Sequence, residues 1–338
     1  TAIDISKMSD NEILNIIKNS PLNNYKIIAK PTSGQQGTGI IISDNPTTLI
    51  NQIKNNPDSE NIFVLSKYLD NPYLIKLNKT GVSGIIYNDS YGRKTHLRAY
   101  VLIYKIKNKL KVYLYEDSLI FAASKEYNSC TGDDDYYCNL TNLYFASKYY
   151  KNVLNKNPDD AYKDLSGLAR DLIPNKDYKK LMNRIKFIIK NTIIAVKDNL
   201  LCSTNNSCYQ YTAFDFHLEN QNSLPHPWLL EVNSTPGLKA PNFNWAESGG
   251  VQNFLESILN ITVGTKISKS NKQLFEYLPF NKKVSTNYSD KSVLDKINNY
   301  SCMSNYYTDL RKVLRLLKYP GRSYLTTKQK MCTAIKNI

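Results

Sequence analysis

Cysteine, glycine, proline and acidic residues are all scarce in this sequence, and each scarcity excludes something. Six cysteines in 338 residues are too few for a disulfide scaffold, and none forms a CxxC pair with partners at zinc spacing. Free thiols in a reducing cytosol are the simplest expectation, with loop bridges from Cys130 to Cys138 and from Cys202 to Cys208 as the alternative. Thirteen glycines and 13 prolines exclude collagen and low-complexity linkers. No apolar run approaches the roughly 20 residues that cross a bilayer, and Ile185 to Val196 is interrupted by Lys190 and Asn191. Thr1 opens a polar segment with no visible signal peptide, so a soluble or peripheral, cytoplasmic chain is expected.

Acids are outnumbered: 29 Asp and Glu face 44 Lys and Arg, for a net charge of +15. Between Gly264 and Ile338 there are 15 basic and four acidic residues, so most of the excess lies in the last 75 residues. Such a patch favours phosphate, an anionic surface or an acidic peptide; otherwise it is a solvated face that keeps the chain soluble. The 41% of hydrophobic residues can fill an ordinary core, which excludes a disordered tail. At about 150 residues per domain, one large or two smaller domains are expected.

Helix and strand signals alternate along the chain. Ser9 and Glu12 form a capping box ahead of an apolar face of Ile13, Ile16 and Ile17, which predicts a helix to Asn19. Strands are predicted at Tyr25 to Lys30, Gly39 to Ser43 and Asn61 to Tyr68, with a helix at Pro46 to Asn55. Asn78 to Arg93 reads as a polar excursion, followed by a three-stranded meander of Thr95 to Lys105, Leu110 to Glu116 and Leu119 to Ser124. Thr131 to Asp135 is an acidic loop. Helical periodicity runs from Leu140 to Leu201. Two strands, Gln210 to Leu218 and Trp228 to Asn233, flank a loop containing Pro225 and Pro227. Leu310, Val313, Leu314 and Leu317 predict a last helix, with Arg311, Lys312, Arg315 and Lys318 facing outward.

Three groups of residues could carry chemistry. Glu231 and Asn233 share one strand face, and an antiparallel neighbour could bring Asp215 beside them. Two carboxylates and an amide oxygen are hard ligands that suit magnesium. The alternative is that Asp215 is a strand-end acid and Glu231 a buried, paired one, though Glu231 follows an apolar run, where an ionised carboxylate needs a cation. Lys30, Pro31 and the small-residue run Thr32 to Gly39, which includes Ser33, Gly34, Gly37 and Gly39, could close backbone N–H groups over phosphates. It is not a Walker loop, since no Gly-Lys-Ser/Thr closes it. Lys94, His96 and Arg98 alternate, so they line one face of a strand, and such a row calls for an anion unless it is simply solvated.

These pieces, in order, resemble the tubulin tyrosine ligase-like family. The resemblance rests on Ile28-Ala29-Lys30-Pro31 with its glycine loop, Lys67-Tyr68-Leu69-Asp70-Asn71-Pro72, Gly92 to Leu102, Leu140-Thr141-Asn142, Phe214-Asp215-Phe216, and Trp228-Leu229-Leu230-Glu231-Val232-Asn233. It implies an α+β, ATP-grasp fold holding ATP and magnesium between two lobes. Lys30 would contact phosphates and the Ser33 to Gly39 loop would cover them. Lys67, Tyr68 and Leu69 would form the hinge beside adenine. Lys94 and Arg98 would face the phosphates and the reacting carboxylate, Thr141 and Asn142 would contact the nucleotide, and Asp215, Glu231 and Asn233 would hold magnesium. The implied core covers residues 1–262, and a basic, mainly helical extension covers 263–338. The implied reaction joins an amino acid, glutamate above tyrosine or glycine, to a carboxylate of an acidic protein acceptor such as a tubulin tail, through an acyl phosphate. A monomer, active in the cytoplasm or on microtubules, is expected.

The chain also departs from that family. His96 stands where an acid is usual, Ser66 where Gln is common, and Phe121 in place of an Arg that reaches the transferring phosphoryl group; Lys125 is a candidate substitute. About 24 residues precede the first core strand, so the usual N-terminal domain is expected to be missing or reduced. These departures keep open a second reading, a non-catalytic module that binds an acidic protein or microtubule surface. Nucleic acid is not expected as a partner, since no recognition motif accompanies the charge.

Overall fold

The computed structural model describes residues 2–32, 37–55, 62–106, 109–130, 132, 135–197, 200, 207–234, 236, 250–263 and 274–279. Helix α1 (Asp10–Lys18) starts where the sequence places it: the Ser9 hydroxyl accepts from Glu12 N–H and the Glu12 carboxylate accepts from Ser9 N–H. Ile13 and Ile17 form its buried face, and Leu49, Ile50 and Ile53 form that of α2 (Pro46–Lys54). Both faces cover a four-stranded antiparallel sheet ordered β1 (Ala2–Asp4), β4 (Ile62–Lys67), β2 (Ile27–Pro31), β3 (Ile41–Ser43). Burying each such aliphatic side chain contributes about 1.5–3 kcal/mol. This small layer sets Lys30 and Lys67 at strand ends.

A larger antiparallel sheet runs β11 (Leu224–Asn233), β10 (Ser207–Gln221), β7 (Thr95–Ile106), β8 (Lys109–Ala122), β12 (Phe275–Tyr277), with β9 (Ser166–Leu168) also on β8. Strand alternation divides its residues between two faces. Leu97, Ala99, Val101 and Ile103 pack under α7 (Asn175–Val196), whose Leu181, Ile185, Ile189 and Ile193 recur at helical spacing. Tyr100, Leu102, Phe121 and Ala213 face the other way, against Phe254 and Ile258 of α8 (Gly250–Val263). The architecture of the described residues is therefore α+β, with two larger antiparallel sheets and a separate two-stranded hairpin.

Several expectations change. The meander is two long strands, because a register irregularity between Ala99 and Val101 lets β8 run unbroken through Asp117 and Ser118. Helices α4 (Leu143–Asn152), α5 (Asp160–Asp164) and α6 (Ala169–Leu172) fill the predicted helical stretch before α7, but β9 interrupts them. Pro225 and Pro227 lie inside β11, which tolerates them because it is an edge strand with N–H groups to spare. The expected loop shrinks to a two-residue turn in which Asn222 and Ser223 both have positive φ. The excursion at 78–93 contains a hairpin, β5 (Asn78–Thr80) and β6 (Ile86–Asn88). It is latched by Asp164, which accepts from Val82 N–H at 2.7 Å, from Tyr150 at 3.1 Å and from Ser83. Gly81 approaches that carboxylate so closely that a Cβ would clash with it. The predicted helix at Leu310 to Leu317 lies outside the described residues.

Candidate functional site

Three neighbouring strands build the site. In β10, Asp215 lies opposite Arg98 of β7 on one side and Glu231 of β11 on the other, while His217 lies opposite His96. Arg98 Nε and Nη2 donate to the two Asp215 carboxylate oxygens, each at 2.7 Å. Asn233 Nδ2 donates to Asp215 Oδ2 at 2.8 Å and reaches Glu231 Oε1 at 3.4 Å. A register shift at Asp215 and Phe216 turns β11 locally, the common use of a bulge beside a site. The two carboxylates and the amide expected on neighbouring strands are thus brought together, and the Arg98 guanidinium, expected in a separate group, joins them.

Burial and charge set the ionisation. Burial works against the Arg98 charge, but Asp215 outweighs it and holds its pKa above the ordinary value. Lys94 is 7% exposed, and burial followed by the Lys30 charge pushes its pKa down to about 7. Its Nζ donates to the Tyr68 hydroxyl at 2.7 Å, and that hydroxyl donates to Asn139 Oδ1 at 3.0 Å. Burial, followed by Arg98, lowers His96 to about 3. The His96 Nδ1 lies 2.7 Å from Thr141 Oγ1, and its ring stacks on Phe121 with centroids 4.9 Å apart. Both histidines of this face are neutral, because burial and then Lys94 and Lys30 lower His217 as well.

The remaining expected residues are distributed around this face. Lys30 is on β2, near enough to act on both Lys94 and His217. Gly37 and Gly39 have φ of 81° and 73°, and a Cβ on Gly37 would come 2.9 Å from the Phe145 ring, so glycine is required there on both counts. Ser33 and Gly34 lie outside the described residues. Tyr68 is buried at the end of β4 and Leu69 is half-buried, whereas the Lys67 ammonium lies 4.1 Å from the Tyr25 ring centroid. Thr141 meets His96, but the Asn142 side chain caps α4 by accepting from Tyr144 N–H at 2.7 Å. The Arg98 guanidinium lies 5.4 Å from the Phe121 ring centroid. Lys125, the candidate substitute for the missing arginine, is held 2.7 Å from Asp135.

Two features escaped the sequence. Asn139 joins the Lys94–Tyr68 chain through a contact 71 residues apart, which no local pattern signals. His217 is two residues beyond Asp215 on the same strand face, and that spacing could have found it. The expectation of free thiols is also overturned. Helix α3 (Tyr136–Asn139) brings the Cys130 and Cys138 Cα atoms to 5.8 Å, and the two are bonded. Cys208 is likewise disulfide-bonded, and among the described residues no cysteine is free.

An α+β protein with a buried cationic face leading to an Arg–carboxylate–amide cluster is suited to holding a polyanion beside a carboxylate. Residues 4–271 match the model of the tubulin-tyrosine ligase family; the chain belongs to that family. Among curated proteins it is similar to a tubulin polyglutamylase of Caenorhabditis elegans, at 27% identity over 63% of this chain and 27% of that protein. It is also similar to a tubulin polyglutamylase of Mus musculus, at 30% over 62% of this chain and 15% of that protein. A tubulin polyglutamylase of Homo sapiens matches at 28% over 63% of this chain and 22% of that protein. The matched segment thus spans about a quarter or less of the length of these relatives.

Asp215, Glu231 and Asn233 carry oxygens of the hard kind that magnesium takes, while Arg98 engages both Asp215 oxygens and Asn233 turns its amide nitrogen to the carboxylates. Among the described residues no group of three or more His, Cys, Asp or Glu side chains could hold a metal ion, so the site offers two carboxylates and one amide. Arg98 balances Asp215 and leaves the Glu231 charge over; Glu231 is exposed rather than buried behind its apolar run as expected, so water can satisfy that charge, and a magnesium ion held here would keep several waters. The described residues contain no helix long and apolar enough to cross a membrane.

Proposed function

We propose that this chain is an ATP-grasp ligase that uses ATP and magnesium to join an amino acid, glutamate foremost, to a carboxylate of an acidic protein acceptor such as a tubulin tail. The observation that carries this reading is the Arg98–Asp215–Asn233–Glu231 cluster at the end of a buried cationic face, in a member of the tubulin-tyrosine ligase family. The polyglutamylases it is similar to support glutamate and tubulin over the alternatives tyrosine and glycine. A cytoplasmic, microtubule-associated location and a monomeric state belong to the same reading, with the Cys130–Cys138 and Cys208 disulfides as the features that oppose a reducing cytosol.

The residues divide the work by position. Lys30 and Lys94 supply positive charge to the polyphosphate, and the Gly37 and Gly39 turn lets backbone approach it. Tyr68 and Leu69 lie at the hinge beside the base. Asp215, Glu231 and Asn233 would hold magnesium, which offsets charge on the polyphosphate. Arg98, fixed by Asp215, aligns the acceptor carboxylate, so that a carboxylate oxygen attacks the γ-phosphorus and ADP departs. The amine of the incoming amino acid then attacks the acyl phosphate and expels phosphate. Preorganised charge of this kind is worth most in a site closed to water.

One observation favours a second reading. Phe121, where the family carries an arginine, is stacked under His96 and Arg98, and Lys125 is held by Asp135. Loss of a phosphoryl-stabilising cation costs roughly 10³-fold or more in rate, which would leave a module that binds ATP and an acidic surface without turnover. Titration calorimetry with ATP and magnesium on the parent and on Glu231→Gln, together with mass spectrometry of tubulin and acidic peptides incubated with mixed amino acids, separates the two. Binding that weakens at least about tenfold in the variant, with a mass increment on the acceptor, is the ligase result. Binding without an increment favours the module, and no nucleotide binding overturns the ligase.

A further inference from the structure

His217 is only 4% exposed, and its Nε2 is buried with no hydrogen-bond partner. A buried polar atom left in that state is destabilising unless something satisfies it. Its surroundings show where a partner would come from. His217 lies directly across from His96, on the strand face that carries Asp215, and its neighbours in charge are Lys94 and Lys30. Two residues along a strand span roughly 7 Å, so His217 is one step from the Arg98–Asp215–Glu231 cluster. On its other side is Lys94, whose ammonium is bonded to the hinge residue Tyr68. The imidazole therefore occupies the interval between the hinge, where a base would lie, and the carboxylates, where the terminal phosphates would lie.

We infer that His217 is a nucleotide-positioning residue whose Nε2 makes a hydrogen bond to a ribose hydroxyl of the bound nucleotide. The inference rests on the nucleotide-binding reading above and adds a contact to it. In a bound nucleotide the ribose joins base to phosphates and so falls in that interval. A hydroxyl both donates and accepts, so it satisfies either tautomer of a neutral imidazole, whereas a phosphate oxygen only accepts. The contact would also discriminate between sugars, since a site built to bond a hydroxyl penalises the analogue lacking it.

The test is calorimetric titration of the parent, His217→Leu and His217→Gln with ATP, 2′-deoxy-ATP and 3′-deoxy-ATP in the presence of magnesium, with thermal melts of all three proteins. The expected result is that the Leu variant, which fills the buried space with an apolar group, keeps its fold and binds ATP about tenfold more weakly, equivalent to ~1.4 kcal/mol. Against one of the two deoxynucleotides the parent and the Leu variant should bind alike, because the contact is already absent. The Gln variant, which retains a hydrogen-bonding end, should recover part of the loss. Equal weakening for all three nucleotides, or ATP binding by both variants at parental strength, would overturn the inference while leaving the function intact. Failure of the parent itself to bind ATP would overturn the function and the inference with it.

Discussion

Lys94 is the side chain whose protonation most directly links this site to its ligand. Its pKa is pushed down to about 7 by burial and then by the Lys30 charge, so in the free protein it is charged below about pH 7 and neutral above. For a base, this depression contributes stability that is present above its unfolded value near 10.4 and lost as pH falls through about 7. A triphosphate favours the charged form. Binding above pH 7 must therefore draw a proton onto Lys94, and ATP affinity should fall between pH 7 and 9. Calorimetry at pH 8 in two buffers of different ionisation enthalpy should show uptake approaching one proton per ATP. The Lys94→Met variant should show a much smaller uptake; unchanged uptake would assign the proton to another group. His96 and His217, both held neutral well below this range, leave Lys94 as the group of this face that titrates there.

At the scale of elements, the loop between β8 and α4 is tied to the site more closely than its sequence suggests. The Cys130–Cys138 bond closes it, Asn139 Nδ2 donates to the Gly132 carbonyl at 3.1 Å, and Asn139 Oδ1 receives the Tyr68 hydroxyl that Lys94 also touches. Opening the bond frees the loop in the unfolded chain, which for so short a loop costs about 2–3 kcal/mol. The double variant Cys130→Ser, Cys138→Ser should thus melt several degrees lower and bind ATP more weakly, and treating the parent with reductant should reproduce both effects. An unchanged ATP affinity in the face of a lowered melting temperature would detach Asn139 from nucleotide binding. What the sequence made legible follows from range. The Ser9–Glu12 cap, the helical spacing in α7 and the alternation of Lys94, His96 and Arg98 are local patterns, and each appears where expected. The three-residue β9 inside a helical stretch, the unbroken β8 and the prolines of β11 depend on a neighbouring strand. The Asn139–Tyr68 bond depends on distant ones, so no window of sequence could show it; the i, i+2 spacing from Asp215 could place His217 on the face, but not leave its Nε2 without a partner.

For the whole molecule, the dominant property is charge: +15 overall, with 15 basic and four acidic residues after position 263. The Arg98–Asp215–Glu231 cluster is small by comparison, so on the proposed function attraction of an acidic acceptor falls to the charge of the whole chain rather than to Arg98. Such fields act over about 10 Å at 0.1 M salt and shrink as salt rises, changing association rates more than the lifetime of the docked state. A glutamate-rich tubulin-tail peptide should therefore bind much more weakly at 200 mM than at 50 mM salt, with the loss mainly in the association rate measured by stopped-flow fluorescence. Replacing Arg311, Lys312, Arg315 and Lys318 together with Gln should flatten that salt dependence. A random oligonucleotide that binds more tightly than the peptide would instead make the basic region a nucleic-acid surface. A peptide affinity indifferent to salt would move acceptor recognition away from charge altogether, into shape or apolar contacts beside the Arg98–Asp215 cluster.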